Sequence, residues 1–145
     1  MSAGIQQIPL KQIIDDRGKV MHMLRKDAAH FQQFGEIYFS YINPGFVKAW
    51  KRHKETTINI TVPVGSIKVV TYDNRQYSDS RGKIGEYICG ENDYNLLIIP
   101  AGIWYGFQCL SSSPAMIANC TTMPHSPDET VSLPDNDEQI PYKWT

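Results

Sequence analysis

The sequence predicts an all-β domain, and three features of the chain support this fold class. Several segments alternate apolar and polar side chains with a period of two, which is typical of half-buried strands. Nine prolines and ten glycines interrupt the chain at short intervals, which favours short strands joined by tight turns. Helical periodicity is weak, and we expect only one short turn of helix, at 26–31, capped by Asp27. Many short strands with little helix indicate a β-sandwich or a β-barrel, although periodicity does not distinguish the two.

Six segments have the strand pattern, and turn signals separate them. The strands are predicted at 36–42, 47–53, 57–62, 66–72, 95–99 and 115–120. The segments 43–45 (Asn-Pro-Gly) and 63–65 (Pro-Val-Gly) have the composition of tight turns, and 78–82 has that of a loop.

The length of the chain predicts one domain, residues 1–145, because 145 residues are enough for a single substantial core. We expect N-terminal strands and the short turn of helix in 1–33, the barrel in 34–123, and a Pro-rich, acidic tail in 124–145. The tail is too rich in helix breakers to be helical. Its Ile140 and Trp144 indicate that it packs back on the barrel.

Charge, hydropathy and cysteine count exclude several classes of protein. The net charge of -1 gives no basic surface for nucleic acid. No segment approaches the roughly 20 apolar residues that span a bilayer, and the N-terminus lacks the pattern of a signal peptide. Three cysteines, an odd number, favour reduced thiols buried as small hydrophobic residues. We therefore expect a cytoplasmic protein with no nucleic-acid or membrane partner.

Two segments resemble the sequence motifs of the cupin superfamily. In 99–107, Pro100 and Gly102 form a Pro-x-Gly turn, which in cupins delivers the side chain three residues further on, here Tyr105, into the mouth of the barrel. In 45–53, a glycine opens a strand that carries two inward-facing residues at alternating positions. The resemblance implies a cupin-type double-stranded β-helix, which is a jelly-roll barrel.

Within the cupins, the chain resembles the dTDP-4-dehydrorhamnose 3,5-epimerase family from about residue 15 to residue 144. The family's Phe-x-Gln-x-Asn-x-Ser strand corresponds to positions 34, 36, 38 and 40, which are Phe, Glu, Tyr and Ser here. The other matching segments, in order, are Asp16-Arg17-Gly18, Gly45 to Trp50, Asp73-Asn74-Arg75 with Ser80, and Asp137 to Trp144.

The sequence does not predict a metal site. Many cupins bind a metal through a His-x-His pair, a Glu and a later His, and the positions of the pair and the later His hold Lys51, His53 and Tyr105 here. A protonated lysine has no lone pair, and one imidazole alone does not hold a divalent ion. We therefore expect neither a metal nor another cofactor, in agreement with the metal-free chemistry of the family.

The resemblance implies proton transfer next to the ketone of a sugar nucleotide, but the family's acid–base groups are not at their usual positions. The family uses a His supported by an Asp, together with a Lys and a Tyr. The position of the His is Lys51, that of the Tyr is Asn119, that of the Lys is near Ile58, and the Asp has no counterpart in these 145 residues.

Other residues could supply this chemistry. Lys51 and His53 are two apart on one strand and therefore face the same side. We expect His53 to be the base, Lys51 to stabilise an enolate and Tyr105 to be the acid, with assistance from His125. Alternatively, His53 is a hydrogen-bonded residue of the site without a role in proton transfer.

The resemblance also implies a set of residues that bind the substrate. Arg17 and Lys48 correspond to contacts with the nucleotide phosphates, although both could instead be solvated surface cations. Tyr38 and Trp104 could stack on a base or a sugar, or could be core aromatic residues. The remaining predicted site positions are Glu36, Asn119 and His125.

These observations predict an isomerase that acts on a nucleotide-linked 4-keto-6-deoxy sugar in polysaccharide or deoxysugar biosynthesis. Two alternatives remain open, a sugar-nucleotide 3,4-ketoisomerase and a cupin that binds a sugar nucleotide without catalysis. The resemblance further implies a homodimer, formed by strand exchange or by pairing of sheet edges.

Overall fold

The structure, a computed structural model, describes residues 4–145 and confirms the all-β prediction. Within these residues the strands form two five-stranded antiparallel sheets and a two-stranded hairpin, and helix is limited to one turn of 3-10 helix at Pro127–Glu129. The strands are β1 (Gln6–Pro9), β2 (Gln12–Asp15), β3 (Gly18–Met21), β4 (Glu36–Ile42), β5 (Val47–His53), β6 (Ile58–Val64), β7 (Ser66–Tyr72), β8 (Ile84–Gly90), β9 (Asn95–Ile99), β10 (Trp104–Cys109), β11 (Ala115–Thr121) and β12 (Thr130–Ser132).

The two sheets combine strands that are distant in sequence, as in a jelly-roll barrel. The first sheet has the order β1-β9-β6-β11-β4, and the second has the order β12-β5-β10-β7-β8. The inward side chains of the two sheets form the main core, in which Ile60 and Leu97 of the first sheet and Ile67 and Val69 of the second are fully buried. Full burial of one such side chain contributes about 1.5–3 kcal/mol.

All six predicted strands are present, with ends within two residues of those expected. The strands that were not individually predicted are the short β1, β2, β3 and β12, together with β8 and β10. The turn of helix expected at 26–31 is wrong. The backbone there makes two successive turns, Ala28 N to Arg25 O at 3.2 Å and Phe31 N to Ala28 O at 3.1 Å. The Asp27 carboxylate accepts hydrogen bonds from Arg25 instead of capping a helix.

The C-terminal tail covers the outer face of the second sheet. Ile140 is 2% exposed and packs in a second apolar cluster with Trp50, Val70 and Trp104. The tail also supplies β12, which pairs with β5 in the register Thr130 to His53. The segment 127–132 is therefore held directly beside the end of β5.

The three cysteines are free and buried. Burial raises the pKa of the Cys89 thiol to about 12, as expected for a cysteine that acts as a small core residue. Among residues 4–145, no helix is long and apolar enough to cross a membrane.

Candidate active site

A cavity of about 380 Å³ lies between the two sheets. Its volume is within the range of small-molecule sites, roughly 300–1,000 Å³. One wall is formed by β4 and β11 of the first sheet, the opposite wall by β5 and β10 of the second, and the rim by the tail. The lining residues are Tyr38, Ser40, Ile117 and Asn119 on the first wall, Lys48, Ala49, Trp50, Lys51, Tyr105 and Phe107 on the second, and Ser132 and Leu133 at the rim.

A β-bulge in β5 brings two lysines to the cavity. Lys51 is opposite Tyr105 in the register of β5 and β10, whereas the next residue of β10, Gly106, is opposite Ala49, so one residue of β5 is extra. The extra residue changes the side that the preceding residues face, and Lys48 therefore lines the same cavity as Lys51. None of the lining residues is an Asp or a Glu, so the cavity favours an anionic ligand.

The Pro-x-Gly turn before β10 aims Tyr105 into the cavity. Gly102 has a φ of +89°, a left-handed conformation that favours glycine, and its N–H donates to the carbonyl of His53 at 2.8 Å. This bond joins the start of β10 to the end of β5. Tyr105 follows three residues later and is 6% exposed.

Tyr105, His53 and Glu129 form a continuous hydrogen-bonded chain that begins at the cavity. The phenol oxygen of Tyr105 lies 2.9 Å from His53 Nε2, and His53 Nδ1 lies 2.6 Å from Glu129 Oε1. Glu129 is fixed in turn by the backbone N–H groups of Glu55 and Thr56, each of which donates to Oε2 at 2.8 Å. The side chains of His53 and Glu129 are only 10% and 11% exposed.

The protonation state of Glu129 determines the direction of these bonds. Burial alone would raise the pKa of this carboxyl, but the hydrogen bonds from Glu55, His53 and Thr56 outweigh it and lower the pKa to about 2. The carboxylate is therefore ionised at neutral pH and can only accept. When the imidazole is neutral, Nδ1–H donates to Glu129 and Nε2 accepts the proton of the Tyr105 hydroxyl.

Burial raises the pKa of Tyr105 well above its usual range, and the phenol of Tyr38 and the Glu129 carboxylate raise it further. A free phenolate is therefore not formed at neutral pH. Tyr105 can still accept a proton from a ligand if its own proton passes to His53 at the same time. The chain of three residues can thus act as one base or, when the imidazole is protonated, as one acid.

On the opposite wall, Asn119 and Tyr38 are direct cross-strand partners on β11 and β4. Asn119 Nδ2 donates to the Tyr38 hydroxyl at 3.0 Å. Asn119 Oδ1 is buried and has no hydrogen-bond partner among the described residues. A buried acceptor without a partner costs about 1–3 kcal/mol, so this oxygen favours a ligand that carries a hydroxyl or amide donor.

The structure brings five of the predicted site residues to the cavity: Lys48, Lys51, Tyr105, Tyr38 and Asn119. His53 is adjacent but lies behind Tyr105, and both of its ring nitrogens are engaged. Within the described residues, the imidazole is therefore connected to the cavity through the phenol of Tyr105.

The other four predicted site residues lie outside the cavity of the single chain. Trp104 faces the opposite side of the second sheet, where the tail buries it to 4% exposure and the Arg52 guanidinium lies over its ring. Glu36 and His125 are joined to each other, by a bond from His125 N to Glu36 Oε1. Arg17 lies on the β2–β3 hairpin, 90% exposed, and pairs with Asp15. Trp104 is therefore a core aromatic residue, which was one of the two alternatives predicted for it.

Sequence reasoning missed Glu129, Ser40, Phe107 and Ser132. Glu129 is separated from His53 by 76 positions, in a tail that has no periodic pattern. Its only sequence signal is that it follows Pro127 in a segment that the C-terminal aromatic residues anchor to the barrel. Within 4–145, no three His, Cys, Asp or Glu side chains are grouped as a metal site requires.

Comparison with known proteins identifies the family of this chain. The sequence profile of the dTDP-4-dehydrorhamnose 3,5-epimerase family matches residues 3–145. The spore coat polysaccharide biosynthesis protein SpsL of Bacillus subtilis (strain 168) is 33% identical over 146 residues, which are 99% of this chain and 97% of SpsL. The probable low-salt glycan biosynthesis epimerase Agl13 of Haloferax volcanii is 34% identical over 130 residues, which are 88% of this chain and 80% of Agl13.

A dTDP sugar isomerase from Desulfovibrio desulfuricans G20, known from its crystal structure, is 45% identical in sequence to this chain. The two structures superpose with a TM-score of 0.97, over 99% of this chain and 92% of the isomerase chain. This similarity confirms the predicted cupin-type fold. It also confirms the predicted resemblance to the epimerase family. The protein belongs to the dTDP-4-dehydrorhamnose 3,5-epimerase family.

Proposed function

We propose that the protein is an epimerase or isomerase that transfers a proton next to the ketone of a nucleotide-linked 4-keto-6-deoxy sugar. The observation that carries this proposal is the Tyr105–His53–Glu129 chain, which ends at a cavity that also contains two lysines. Membership of the family supports the same class of chemistry.

In the proposed reaction, the phenol oxygen of Tyr105 accepts the proton from the carbon next to the ketone. The hydroxyl proton of Tyr105 moves at the same time to His53 Nε2, and Glu129 stabilises the imidazolium through Nδ1. The ketone oxygen becomes an enolate oxygen, whose negative charge the ammonium group of Lys51 stabilises, since Lys51 is opposite Tyr105 in the register. Such acid–base groups contribute about 10²–10⁴-fold each to rate.

The substrate class follows from the charge of the cavity. Lys48 favours the diphosphate of a nucleotide sugar, and the polar groups of Tyr38 and Asn119 favour the hydroxyls of a sugar. The name of the Desulfovibrio relative, a dTDP sugar isomerase, supports dTDP as the nucleotide. Arg17 could reach a phosphate only if another copy of the chain supplied it, because it lies outside the cavity of its own chain.

The pathway, location and assembly are further parts of the proposal. The names of SpsL and Agl13 refer to spore coat polysaccharide and glycan biosynthesis, which supports a role in surface polysaccharide synthesis. We place the protein in the cytoplasm, where nucleotide sugars are made. A homodimer is supported by the exposed apolar side chains of β4, at an edge of the first sheet.

Deuterium exchange tests the proposed reaction. The protein is incubated with dTDP-4-keto-6-deoxyglucose in deuterated water, and the sugar is followed by NMR. We expect deuterium at C3, or at C3 and C5, together with inversion at the labelled carbon. A 3-keto product would identify the ketoisomerase reaction instead. Binding of the nucleotide sugar without label or conversion would contradict both enzymatic functions for this substrate.

A further inference from the structure

A second phenol, that of Tyr38, lies on the cavity wall opposite Tyr105. Tyr38 belongs to β4 of the first sheet and Tyr105 to β10 of the second, and both line the cavity. The phenol of Tyr38 is near enough to add to the rise in the pKa of Tyr105. A sugar ring in the cavity would therefore have one phenol on each side.

The hydrogen bond from Asn119 leaves the proton of Tyr38 available. Asn119 Nδ2 donates to the phenol oxygen at 3.0 Å, so this oxygen acts as an acceptor. Among residues 4–145, the phenol has no other hydrogen-bond partner. Its O–H can therefore point toward a ligand in the cavity, while the amide fixes the position of the oxygen.

We propose that Tyr38 is the proton donor that completes epimerisation from the face opposite Tyr105, and that Asn119 positions it. This inference rests on the proposed function. It assigns the two faces of the substrate carbon to the two sheets of the barrel.

This step needs no co-reactant other than water. The bond between the substrate carbon and its hydrogen breaks as Tyr105 and His53 take the proton. The O–H bond of Tyr38 then breaks, and a new C–H bond forms on the other face of the same carbon. This leaves a phenolate at Tyr38 and an imidazolium at His53. Exchange of one proton with water at each group restores the starting state.

The order of the two residue types supports the assignment. The strand pattern that the sequence resembles has Asn at position 38, and the family's Tyr falls at position 119, whereas this chain has Tyr38 and Asn119. Positions 38 and 119 are direct cross-strand partners, whose Cβ atoms are about 4.5–5.5 Å apart in such pairs. Exchange of the two side chains therefore keeps one phenol and one amide in the same part of the cavity. An amide cannot donate a proton to carbon, so Asn119 itself cannot be the acid.

The test separates removal of the proton from inversion of the carbon. Wild type, Tyr38→Phe and the control Tyr77→Phe are incubated with dTDP-4-keto-6-deoxyglucose in deuterated water; Tyr77 is a loop residue that is 91% exposed. Both deuterium in unchanged substrate and the inverted product are measured by NMR. For Tyr38→Phe we expect inversion to fall about 100-fold or more, and exchange into unchanged substrate to fall less than about 10-fold. Tyr77→Phe should resemble the wild type.

Either of two results with Tyr38→Phe would overturn the inference. Inversion at the wild-type rate by Tyr38→Phe would show that another group donates the proton, although the proposed function would stand. An equal loss of exchange and inversion, with weaker binding of dTDP, would assign Tyr38 to substrate binding only. A wild type that neither exchanges nor inverts would instead contradict the proposed function, and this inference with it.

A reciprocal exchange provides a second, independent test. Tyr38→Asn should lose inversion, and the double variant Tyr38→Asn/Asn119→Tyr should regain inversion at least about 10-fold above the single variant. A folded double variant with no recovery would contradict the statement that the two positions present a phenol to the same site.

Discussion

At the scale of single residues, the reaction proposed for this site depends on a carboxylate from the C-terminal tail. Glu129 accepts two backbone N–H groups with Oε2 and the imidazole of His53 with Oε1. The carboxylate therefore fixes both the ring orientation and the tautomer of His53. Lys51 and Tyr105 line the cavity, and the role proposed for Tyr105 as a base depends on the acceptor at His53 Nε2.

Replacing Glu129 by Gln should reverse the tautomer of His53. The amide oxygen would keep the two backbone N–H groups, and the amide NH₂ would then donate to Nδ1. Nε2 would carry the proton and could no longer accept that of Tyr105. For Glu129→Gln we expect kcat to fall about 10²–10⁴-fold, with little change in the affinity for dTDP.

Steady-state kinetics and calorimetric titration with dTDP measure these two quantities. The control is Asp128→Asn, which removes the same charge from the adjacent, exposed position and should keep nearly full activity. Glu129→Asp, which retains the charge, should recover part of the lost kcat. If Glu129→Gln loses affinity for dTDP in proportion to its loss of kcat, the carboxylate has a structural role only.

Local sequence motifs predicted that Lys51 of β5 and Tyr105 of β10 belong to the site, and for a physical reason. Lys51 and Tyr105 are fixed by strand alternation and by the Pro-x-Gly turn, which act within a few residues. Glu129 reaches the site through a contact between segments 76 positions apart. No pattern in the tail encodes that contact, which the pairing of β12 with β5 holds in place.

At the scale of elements, the connection between β7 and β8 supports the turn that aims Tyr105. Asp73 is buried and accepts hydrogen bonds from Arg75, Ser78 and Ser80. Burial alone would raise the pKa of Asp73, but these bonds hold it well below its usual range. The side chain of Arg75 lies beside Gly102, whose hypothetical Cβ would be 3.0 Å from Arg75 Cδ. The ion pair therefore positions the arginine against the Pro-x-Gly turn.

Loss of this carboxylate should destabilise the protein in a pH-dependent way. For Asp73→Asn we expect the free energy of unfolding at pH 7 to fall by about 2–4 kcal/mol, because a buried, multiply hydrogen-bonded charge is removed. The pKa of Asp73 is lower in the folded than in the unfolded state. Its contribution is thus complete above the unfolded pKa of about 3.9 and is lost as the pH falls below that value.

Chemical denaturation at pH 7 and at about pH 3 measures this difference, which should be smaller at the lower pH. The matched control is Asp79→Asn, an exposed carboxylate of the same loop, which should change the stability by less than about 0.5 kcal/mol. A constant difference at the two pH values would mean that the charge of Asp73 is not the source of the stability.

The limits of prediction differ from one element to another. Alternation or a continuous apolar run predicted six of the longer strands but not β8 or β10, whereas β1, β2, β3 and β12 have only three or four residues and mixed exposure. Strict alternation would also place Lys48 and Lys51 on opposite sides of β5. The bulge between them brings both to the cavity. The two strands approach closely beside it, since a Cβ at Gly106 would lie 2.4 Å from Ala49 Cβ.

At the scale of the whole molecule, periodicity alone did not distinguish a sandwich from a barrel. The two sheets are assembled from strands in the orders β1-β9-β6-β11-β4 and β12-β5-β10-β7-β8, and pairings between such distant segments leave no local signal. Resemblance to a family supplied this information. The consequence for function is that one sheet holds the two lysines and the Tyr105 chain, while the other holds Tyr38 and Asn119.

The first sheet also has an edge that a single chain leaves open. Within the described residues β4 pairs only with β11, and its Ile37, Phe39 and Tyr41 are 51%, 62% and 60% exposed. These three side chains share one face of the strand because they are two apart. An unpaired edge with an apolar face favours association with another chain. The opposite edge of the same sheet is occupied by the chain's own β1.

We therefore expect the protein to be a dimer in solution that pairs through β4. Sedimentation should give twice the chain mass of 16.5 kDa, and Phe39→Lys should give the mass of one chain, because a charge on this face opposes its burial. The control Tyr77→Lys places the same charge on a loop residue that is 91% exposed and should remain dimeric. A wild type that sediments as a single chain would contradict the dimer. A Phe39→Lys variant that remains dimeric would instead place the interface on another surface, such as the β2–β3 hairpin, where Ile14 is 71% exposed.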